Sequence, residues 1–384
     1  MSNLFCIPNK IISGENALKD SGKYIAGMGR KALIISDSMM RKLGNIDKLT
    51  DVLTENRVAF SIYSEVDSEP TNKTVEAGVS AYISNDCDFL IAIGGGSPID
   101  TMKAIAILSV LGGSLSDYLG VEVLAELPPI VAIPTTAGTG SEATQFTIIS
   151  DLDTNVKMLL KGSCILPNLA VIDPVFTLTM PASITAFTGI DALCHCVEAY
   201  TSRKAQPLSD LFALSAARRI FKNIYIAYKE PDNLEARIQM ALASTEAGIS
   251  FSNSSVTIIH GMSRPIGALF HVPHGLSNAM LIEKCMRFAM KAAMKRLADI
   301  ARYCDMADGG TPDGRAAEGF IEELSALCER LAIPTLREFG VDRAEFEKQI
   351  PKMTQDAIKS GSPGNTLADV SAEDIQEIYR SLWA

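Results

Sequence analysis

Short apolar runs alternate with amphipathic stretches over the first half of the chain. The apolar runs are rich in β-branched residues, and they predict strands at Ala32–Ser36, Ala59–Tyr63, Phe89–Ile93 and Ile130–Ile133. Apolar residues at helical spacing predict helices at 39–55, 71–85 and 98–111. Strands that alternate with helices indicate βαβ units and a buried parallel sheet. Further short β-like runs follow, at Gln145–Ser150, Val156–Leu160 and Ala170–Ile172.

Beyond Pro181 the pattern changes, and almost every stretch favours helix. Apolar residues recur at steps of three and four, as in Leu208, Leu211, Phe212, Leu214 and Ala217. Turn-forming residues interrupt this pattern at 206–207, 230–232, 309–312 and 361–364. We therefore predict an α/β domain over 1–181 and an all-α domain over 182–384.

Composition and charge narrow the class of protein. Apolar residues make up 47% of the 384 residues, so the chain can bury large cores. With 35 basic and 45 acidic residues the net charge is −10, which disfavours non-specific nucleic-acid and anionic-membrane binding. The N-terminus lacks the pattern of a signal peptide, and uncharged apolar runs are too short for a spanning helix. Eight scattered cysteines fit reduced thiols, so we expect a cytoplasmic protein.

A glycine-rich turn follows the third predicted strand, with the sequence Gly94-Gly95-Gly96-Ser97-Pro98. Ser97 suits a helix N-cap and Pro98 suits the first helical position. Free N–H groups at such a helix N-terminus can bind a phosphate, and the glycines allow close approach. The alternative is a tight strand-to-helix turn that needs positive φ, and the motif alone leaves both open.

Two further segments fit a nucleotide site at the same edge of the sheet. The loop 134–142 is dense in hydroxyls and small residues, although an ordinary loop has the same composition. Asp37 ends the first predicted βα strand, where a carboxylate accepts hydrogen bonds from a ribose and repels a 2′-phosphate. A helix N-cap is an alternative for Asp37 and is compatible with the first role.

The four histidines are His195, His260, His271 and His274. Asp191 precedes His195 by four residues, so both side chains share one face of a helix. Apolar surroundings predict that this face is buried, and a buried carboxylate needs a partner such as a metal ion. One carboxylate with three imidazoles suits Fe(II) or Zn(II). The alternative for each histidine is an ordinary hydrogen-bonded core residue.

These motifs resemble the iron-containing (group III) alcohol dehydrogenase family over essentially the whole chain. The resemblance lies in Ala32–Asp37, Glu69–Thr71, Gly94–Asp100, Pro134–Glu142, Gly189–Tyr200 and His260–Gly275. It implies the fold shared with dehydroquinate synthase, with an N-terminal dinucleotide-binding α/β domain and a helical metal-binding domain. It also implies an active site in the cleft between them and a homodimer or higher oligomer, in which Leu4–Ile12 takes part in pairing.

The resemblance also implies a set of site residues. The metal, Fe(II) or Zn(II), would be held by Asp191, His195, His260 and His274. The cofactor would contact Asp37, Gly95, Gly96, Ser97, Thr135, Thr136, Thr144, Phe146, Lys157 and Phe176. The acidic residue at position 37 implies NAD(H) rather than NADP(H).

The chain departs from the family pattern at two positions. Arg264 stands where the family often has histidine, and Glu69 stands where it often has asparagine, near the adenine. Arginine stays protonated, so we predict His271 as the proton relay; the alternative is a pocket wall with water as the carrier. Arg264 also predicts a short aldehyde with an anionic group, such as sulfoacetaldehyde or a small semialdehyde. Its alternatives are pairing with a protein acid or with the cofactor pyrophosphate.

We therefore predict a metal-dependent, NAD(H)-linked alcohol dehydrogenase or aldehyde reductase for a small-molecule substrate. One alternative is a general primary alcohol dehydrogenase for neutral substrates. Another is a non-redox lyase of the dehydroquinate synthase type, which also uses NAD and a metal. A third is a non-catalytic assembly module.

Overall fold

The structure, a computed structural model, describes residues 2–66, 69–154 and 156–383. The chain divides into two compact units between Met180 and Pro181, and the segment before Cys6 groups with the second unit. There the Gln206 amide donates to the carbonyl of Leu4 at 3.1 Å, and Phe5 stacks on Phe212 at 5.9 Å. The domain limits 1–181 and 182–384 remain a prediction.

The first unit is built on a parallel sheet. Its strands are β1 (Ile11–Ser13), β2 (Lys31–Ile35), β3 (Ala59–Tyr63), β4 (Phe89–Gly94), β5 (Ile130–Pro134), β6 (Phe146–Asp151), β7 (Val156–Lys161) and β8 (Leu169–Ile172). Six of them pair in parallel in the order β1-β8-β5-β4-β2-β3, which confirms the predicted α/β fold class. The strands β6 and β7 form a separate antiparallel pair.

Alternate residues of the central strands point into two different cores. Leu33 and Leu90 lie in one apolar cluster, and Ile34 and Ile91 lie in the other. Every residue of β4 is buried, because both faces of the sheet are covered. This double burial explains why the predicted strands are continuous apolar runs rather than alternating ones.

The helices of the first unit are α1 (Ala17–Ile25), α2 (Ser38–Lys42), α3 (Asn45–Glu55), α4 (Asn72–Ser84) and α5 (Gly96–Leu111). The stretch predicted as one helix at 39–55 is two helices, because Gly44 is left-handed with φ of 69°. The predicted cap of α5 at Ser97 was wrong: Gly95 is the N-cap and the helix begins at Gly96. Pro98 still fits, because it lies in the first turn, where backbone N–H groups lack helical partners.

The second unit is helical, as the change of pattern near Pro181 predicts. Its helices are α6 (Ala182–Tyr200), α7 (Pro207–Lys229), α8 (Leu234–Ser252), α9 (Ile258–Phe270), α10 (His274–Tyr303), α11 (Asp313–Arg330), α12 (Leu336–Phe339), α13 (Arg343–Lys359) and α14 (Ala372–Ser381). Within the described ranges, no helix combines the length and the apolar character needed to cross a membrane.

Candidate functional site

Helix α6 carries three buried polar side chains on one face, at Asp191, His195 and Glu198. Their spacing of four and then three residues aligns them along the helix. Asp191 and His195, together with His260 from α9, each offer one ligand atom, and these atoms all lie within 4.8 Å of one another. This is the arrangement that a single metal ion requires.

The fourth predicted ligand, His274, reaches the same carboxylate from the first turn of α10. Its Nε2 lies 3.7 Å from Asp191 Oδ1, and His260 Nε2 lies 3.6 Å from the same oxygen. The His195 ring stacks on Phe251 and on His260, with ring centroids 4.3 and 4.4 Å apart. The His274 side chain is 44% exposed, so the cluster is buried on one side and accessible on the other.

Glu198 fixes the orientation of His260, a role that sequence reasoning missed. Its Oε1 accepts hydrogen bonds from the backbone N–H of Thr257 at 3.0 Å and of Ile259 at 2.7 Å, at the N-terminus of α9. Its Oε2 contacts His260 Nδ1. The histidine therefore turns its Nε2 toward Asp191. The available signal was the position of Glu198 seven residues after Asp191 in an apolar helix.

The electrostatics of the cluster favour a positive charge. Burial lowers the pKa of His260, but the Glu198 carboxylate and then Asp191 outweigh it and raise that pKa to about 9. Burial raises the pKa of Asp191, but His195 and His274 outweigh it and hold that pKa well below its ordinary range. A cation at this point would be stabilised by both carboxylates.

His195 has the properties of a neutral ligand. Burial lowers its pKa to about 3, so the imidazole is uncharged at neutral pH. Its Nδ1 is buried and has no hydrogen-bond partner in the described part of the chain, which is unusual for a buried ring nitrogen. One carboxylate and three imidazoles are donors that Fe(II) and Zn(II) accept, so the residues present fit a divalent metal.

Asn278 also belongs to this cluster, although the sequence analysis did not identify it. It lies on α10, one turn after His274, and its Nδ2 donates to Asp191 Oδ1 at 2.6 Å. The same nitrogen lies 3.2 Å from Nε2 of His260 and 3.2 Å from Nε2 of His274. The four-residue spacing from His274 was an available signal, but an amide does not titrate and so does not stand out as a candidate site residue.

Arg264 lies one turn after His260 on α9 and is half-buried. Its Nη1 donates to Ser362 Oγ at 3.3 Å, and the Glu198 carboxylate attracts its charge without a hydrogen bond between the two, among residues 2–66, 69–154 and 156–383. Burial lowers the pKa of its guanidinium, which nevertheless stays charged. His271 is exposed at the end of α9 with left-handed backbone, at φ of 54°. Its role as proton relay remains a prediction.

A cavity of about 420 Å³ lies at the carboxyl ends of β2, β4 and β5 in the first unit. This edge of a parallel sheet is where nucleotides bind in α/β folds. Six of the predicted cofactor contacts line the cavity: Asp37, Gly95, Gly96, Ser97, Thr135 and Thr136. Asp37 Oδ1 also accepts from the backbone N–H of Met40 at 2.8 Å, so it caps α2 as the alternative predicted.

The other predicted cofactor contacts do not line this cavity. Thr144 and Phe146 accept hydrogen bonds from Lys103 Nζ through their carbonyl oxygens, at 2.8 and 2.9 Å. Lys157 pairs with Glu69 at 2.7 Å. Phe176 lies in the apolar core and is only 1% exposed, a position that gives no support to a cofactor contact.

Lys103 anchors the loop that follows β5, and sequence reasoning missed it because lysine is usually solvent-exposed. It lies on α5 with no exposed surface, and its Nζ also donates to the Ser141 carbonyl at 2.7 Å. Burial lowers its pKa to about 8. Asp100, one turn earlier, accepts from Ser141 Oγ at 2.5 Å. The pair thereby fixes the loop whose first residues line the cavity.

Two models of protein families match this chain. The sequence model described as "Iron-containing alcohol dehydrogenase" matches residues 8–174. The model described as "Fe-containing alcohol dehydrogenase family, C-terminal" matches residues 185–383.

Individual relatives match over the whole length. The 1,3-propanediol dehydrogenase of Citrobacter freundii is 35% identical over 381 residues, covering 98% of this chain and 97% of its own. A solved 1,3-propanediol oxidoreductase structure superposes with a TM-score of 0.95 at 35% identity, covering 100% of both chains. The sulfoacetaldehyde reductase from Bifidobacterium kashiwanohense, solved in complex with NAD+, gives 0.86 at 28% identity, covering 100% and 99%. This chain therefore belongs to the iron-containing alcohol dehydrogenase family and is an alcohol oxidoreductase.

Proposed function

We propose that the protein is a metal-dependent, NAD(H)-linked alcohol dehydrogenase that interconverts a short-chain aldehyde and its alcohol. The observation that carries this proposal is the buried cluster in which Asp191, His195 and His260 place ligand atoms within 4.8 Å. The glycine-lined cavity beside Asp37 supports a dinucleotide, and its carboxylate supports NAD(H) over NADP(H). The relative solved with NAD+ supports the same cofactor.

Residues of this chain would bind and orient the metal and the nicotinamide cofactor for the reaction. When bound, the metal supplies Lewis acidity toward the carbonyl oxygen and the reduced nicotinamide supplies the hydride. Asp191 and the three histidines would hold the metal, and Glu198 orients His260 for that role. Gly95, Gly96 and Ser97 at the start of α5 would bind the pyrophosphate through backbone N–H groups.

Arg264 supports an anionic substrate. A half-buried guanidinium that bonds one hydroxyl through Nη1 has further N–H donors for a ligand. Carboxylate and sulfonate groups accept two parallel hydrogen bonds from such a fork. The substrate class would then be short aldehydes with an acidic group, such as sulfoacetaldehyde or a semialdehyde, and one relative is a sulfoacetaldehyde reductase.

A second candidate is a neutral short-chain alcohol. It is favoured by the 35% identity to a 1,3-propanediol dehydrogenase over nearly the whole chain. The lyase alternative loses its support, because both matching family models describe alcohol dehydrogenases.

The proposed activity is tested by initial rates with NADH after loading the protein separately with Fe(II) and Zn(II). We expect one NADH oxidised for each aldehyde reduced, loss of activity after chelation, and slower turnover with NADPH. Absence of net NADH oxidation with every aldehyde, by protein that binds metal and NADH, would refute the proposal.

The substrate class is tested with Arg264→Gln on sulfoacetaldehyde, succinic semialdehyde and propionaldehyde. Loss of a hydrogen bond to a charged group costs about 1.5–3 kcal/mol, so we expect kcat/KM to fall about 10- to 100-fold for the anionic aldehydes only. Arg218→Gln is the matched control, because that exposed arginine pairs with Asp305 at 2.8 Å. An equal loss on propionaldehyde would favour the neutral substrate instead.

A further inference from the structure

Arg41 places a positive charge close to the Asp37 carboxylate, at one end of the glycine-lined cavity. The arginine lies on α2, and Asp37 is the N-cap of that helix, so about one helical turn separates the two residues. Residues 37–40 line the cavity and lead directly to Arg41. The Arg41 side chain is fixed by a hydrogen bond, because its Nη2 donates to Ser64 Oγ at 2.8 Å.

The pairing of β2 with β3 brings Ser64 close to Asp37. The Ser36 N–H donates to the Tyr63 carbonyl at 2.9 Å, and the Val66 N–H donates to the Ser36 carbonyl at 3.2 Å. These two bonds continue the parallel pairing beyond the ends of both strands, which lie about 4.8 Å apart. Val66 and Asp37 both line the cavity. The guanidinium that binds Ser64 therefore lies at the same edge of the sheet as the Asp37 carboxylate.

The two opposite charges at this edge favour different nicotinamide cofactors. NADP(H) differs from NAD(H) by a phosphate on the 2′-oxygen of the adenosine ribose. A carboxylate at this position accepts a hydrogen bond from the 2′-hydroxyl, whereas a nearby arginine accommodates the 2′-phosphate. A guanidinium has five N–H donors, so Arg41 can bond Ser64 and still offer two parallel donors to phosphate oxygens. This chain carries both the carboxylate and the guanidinium.

We propose that Arg41, held by the Ser64 hydroxyl, is a binding subsite for the 2′-phosphate of NADP(H), and that the Asp37 carboxylate opposes binding there. The inference rests on the proposed function, which assigns the cavity to a nicotinamide dinucleotide. Selectivity for NAD(H) is then the result of two opposed charges. The affinity for NADPH depends on Arg41, both in the wild type and in a protein that lacks the carboxylate.

Fluorescence titration with NADPH and with NADH tests this subsite, and it requires neither metal nor turnover. Asp37→Ser removes the carboxylate but keeps an oxygen that can cap α2, as Asp37 Oδ1 does by accepting from the Met40 N–H. We expect this variant to bind NADPH at least about tenfold more tightly than the wild type, because like charges no longer face each other. Addition of Arg41→Gln should weaken NADPH binding about 10- to 100-fold and NADH binding much less, because only the phosphate loses a charged hydrogen bond.

Arg30→Gln is the matched control, because this exposed arginine precedes β2 at the opposite edge of the sheet and pairs with Asp88 at 3.3 Å. We expect it to leave both affinities unchanged. If Asp37→Ser does not fold, Arg41→Gln in the wild-type background gives the same test through the ratio of the NADPH and NADH affinities. Equal weakening of NADPH and NADH by Arg41→Gln would overturn the inference, and so would a folded Asp37→Ser that gains no affinity for NADPH. A wild type that binds neither cofactor would instead refute the proposed function.

Discussion

The Glu198 carboxylate binds the backbone at the start of α9 and also orients the His260 side chain. Glu198 accepts from Thr257 N–H and Ile259 N–H at the helix start, and it also contacts the His260 ring. Its pKa is lowered despite burial, chiefly because of the charge on His260, so it stays ionised. An ionised carboxylate only accepts hydrogen bonds, so Glu198 keeps a proton on Nδ1 of His260 and turns Nε2 toward Asp191, the orientation that the proposed metal ligation needs.

Glu198→Gln should weaken metal binding more than it weakens the fold. The new amide would present N–H to Nδ1 of His260 and favour the tautomer whose Nε2 carries the proton. We expect the metal affinity to fall about 10- to 100-fold, as measured by competition with a chelator.

The matched control is Glu246→Gln, which breaks a 3.2 Å pair with Arg219 outside the cluster. Thermal unfolding of both metal-free variants separates a folding defect from a ligand defect. Equal losses of metal affinity in the two variants would show that Glu198 has no specific role in metal binding.

The sequence predicted part of the site, whereas the remaining residues could not be predicted for physical reasons. The four-residue spacing of Asp191 and His195 is a local property, so the sequence alone predicts their common face. The positions of Glu198, Asn278 and Lys103 depend on contacts between elements distant in sequence. In helices such residues usually face solvent, and only the fold shows that these three are buried.

At the scale of elements, the turn between β4 and α5 shapes the cavity at the carboxyl ends of the strands. Gly94 has φ of 155°, a conformation that L side chains rarely adopt, and a Cβ there would lie 2.6 Å from Pro98 Cγ. A Cβ on Gly95 would meet only ordinary contacts, at 3.6 Å from Thr136. Adjacent glycines therefore have different roles, one in the backbone and one in the cavity wall.

Substitution of these glycines should separate stability from cofactor binding. We expect Gly95→Ala to raise the Kd for NADH about tenfold with little change in stability, because the added methyl group faces the cavity. We expect Gly94→Ala to lower the free energy of unfolding by about 1–3 kcal/mol. Fluorescence titration with NADH and urea unfolding measure the two effects. Equal destabilisation by both substitutions would contradict this division.

The seven predicted strands agree with the structure to within about one residue at most ends, whereas β1 was not predicted. The strands β4, β5 and β8 are buried throughout, which makes them continuous apolar runs that are easy to recognise. The sequence did not show that β6 and β7 leave the main sheet, since pairing depends on distant partners. It also did not show the break at Gly44 or the early start of α5. The break at Gly44 depends on a left-handed glycine, which apolar periodicity does not report.

On the scale of the whole molecule, the two predicted binding functions lie in different units. The metal cluster uses α6, α9 and α10 of the second unit, and the glycine-lined cavity lies in the first. A ligand stabilises the native state by an amount that grows with its concentration over Kd. Each ligand should therefore stabilise chiefly the unit that binds it.

Metal removal should raise amide hydrogen exchange in the second unit alone. At a thousandfold excess over Kd the bound metal contributes about 4 kcal/mol, so chelation should accelerate exchange in α6, α9 and α10. The strands β2, β4 and β5 should exchange at unchanged rates and should be protected by NADH instead. Mass spectrometry of exchanged peptides measures both, and equal acceleration in the two units would count against separate binding functions.

The burial of Lys103 has a practical consequence for chemical labelling. Its amine is enclosed by the carbonyls of Ser141, Thr144 and Phe146, so acylating reagents cannot reach it while that loop is closed. Modification at this position would record how often the loop opens. A peptide map taken over time would then measure the rate at which this loop opens.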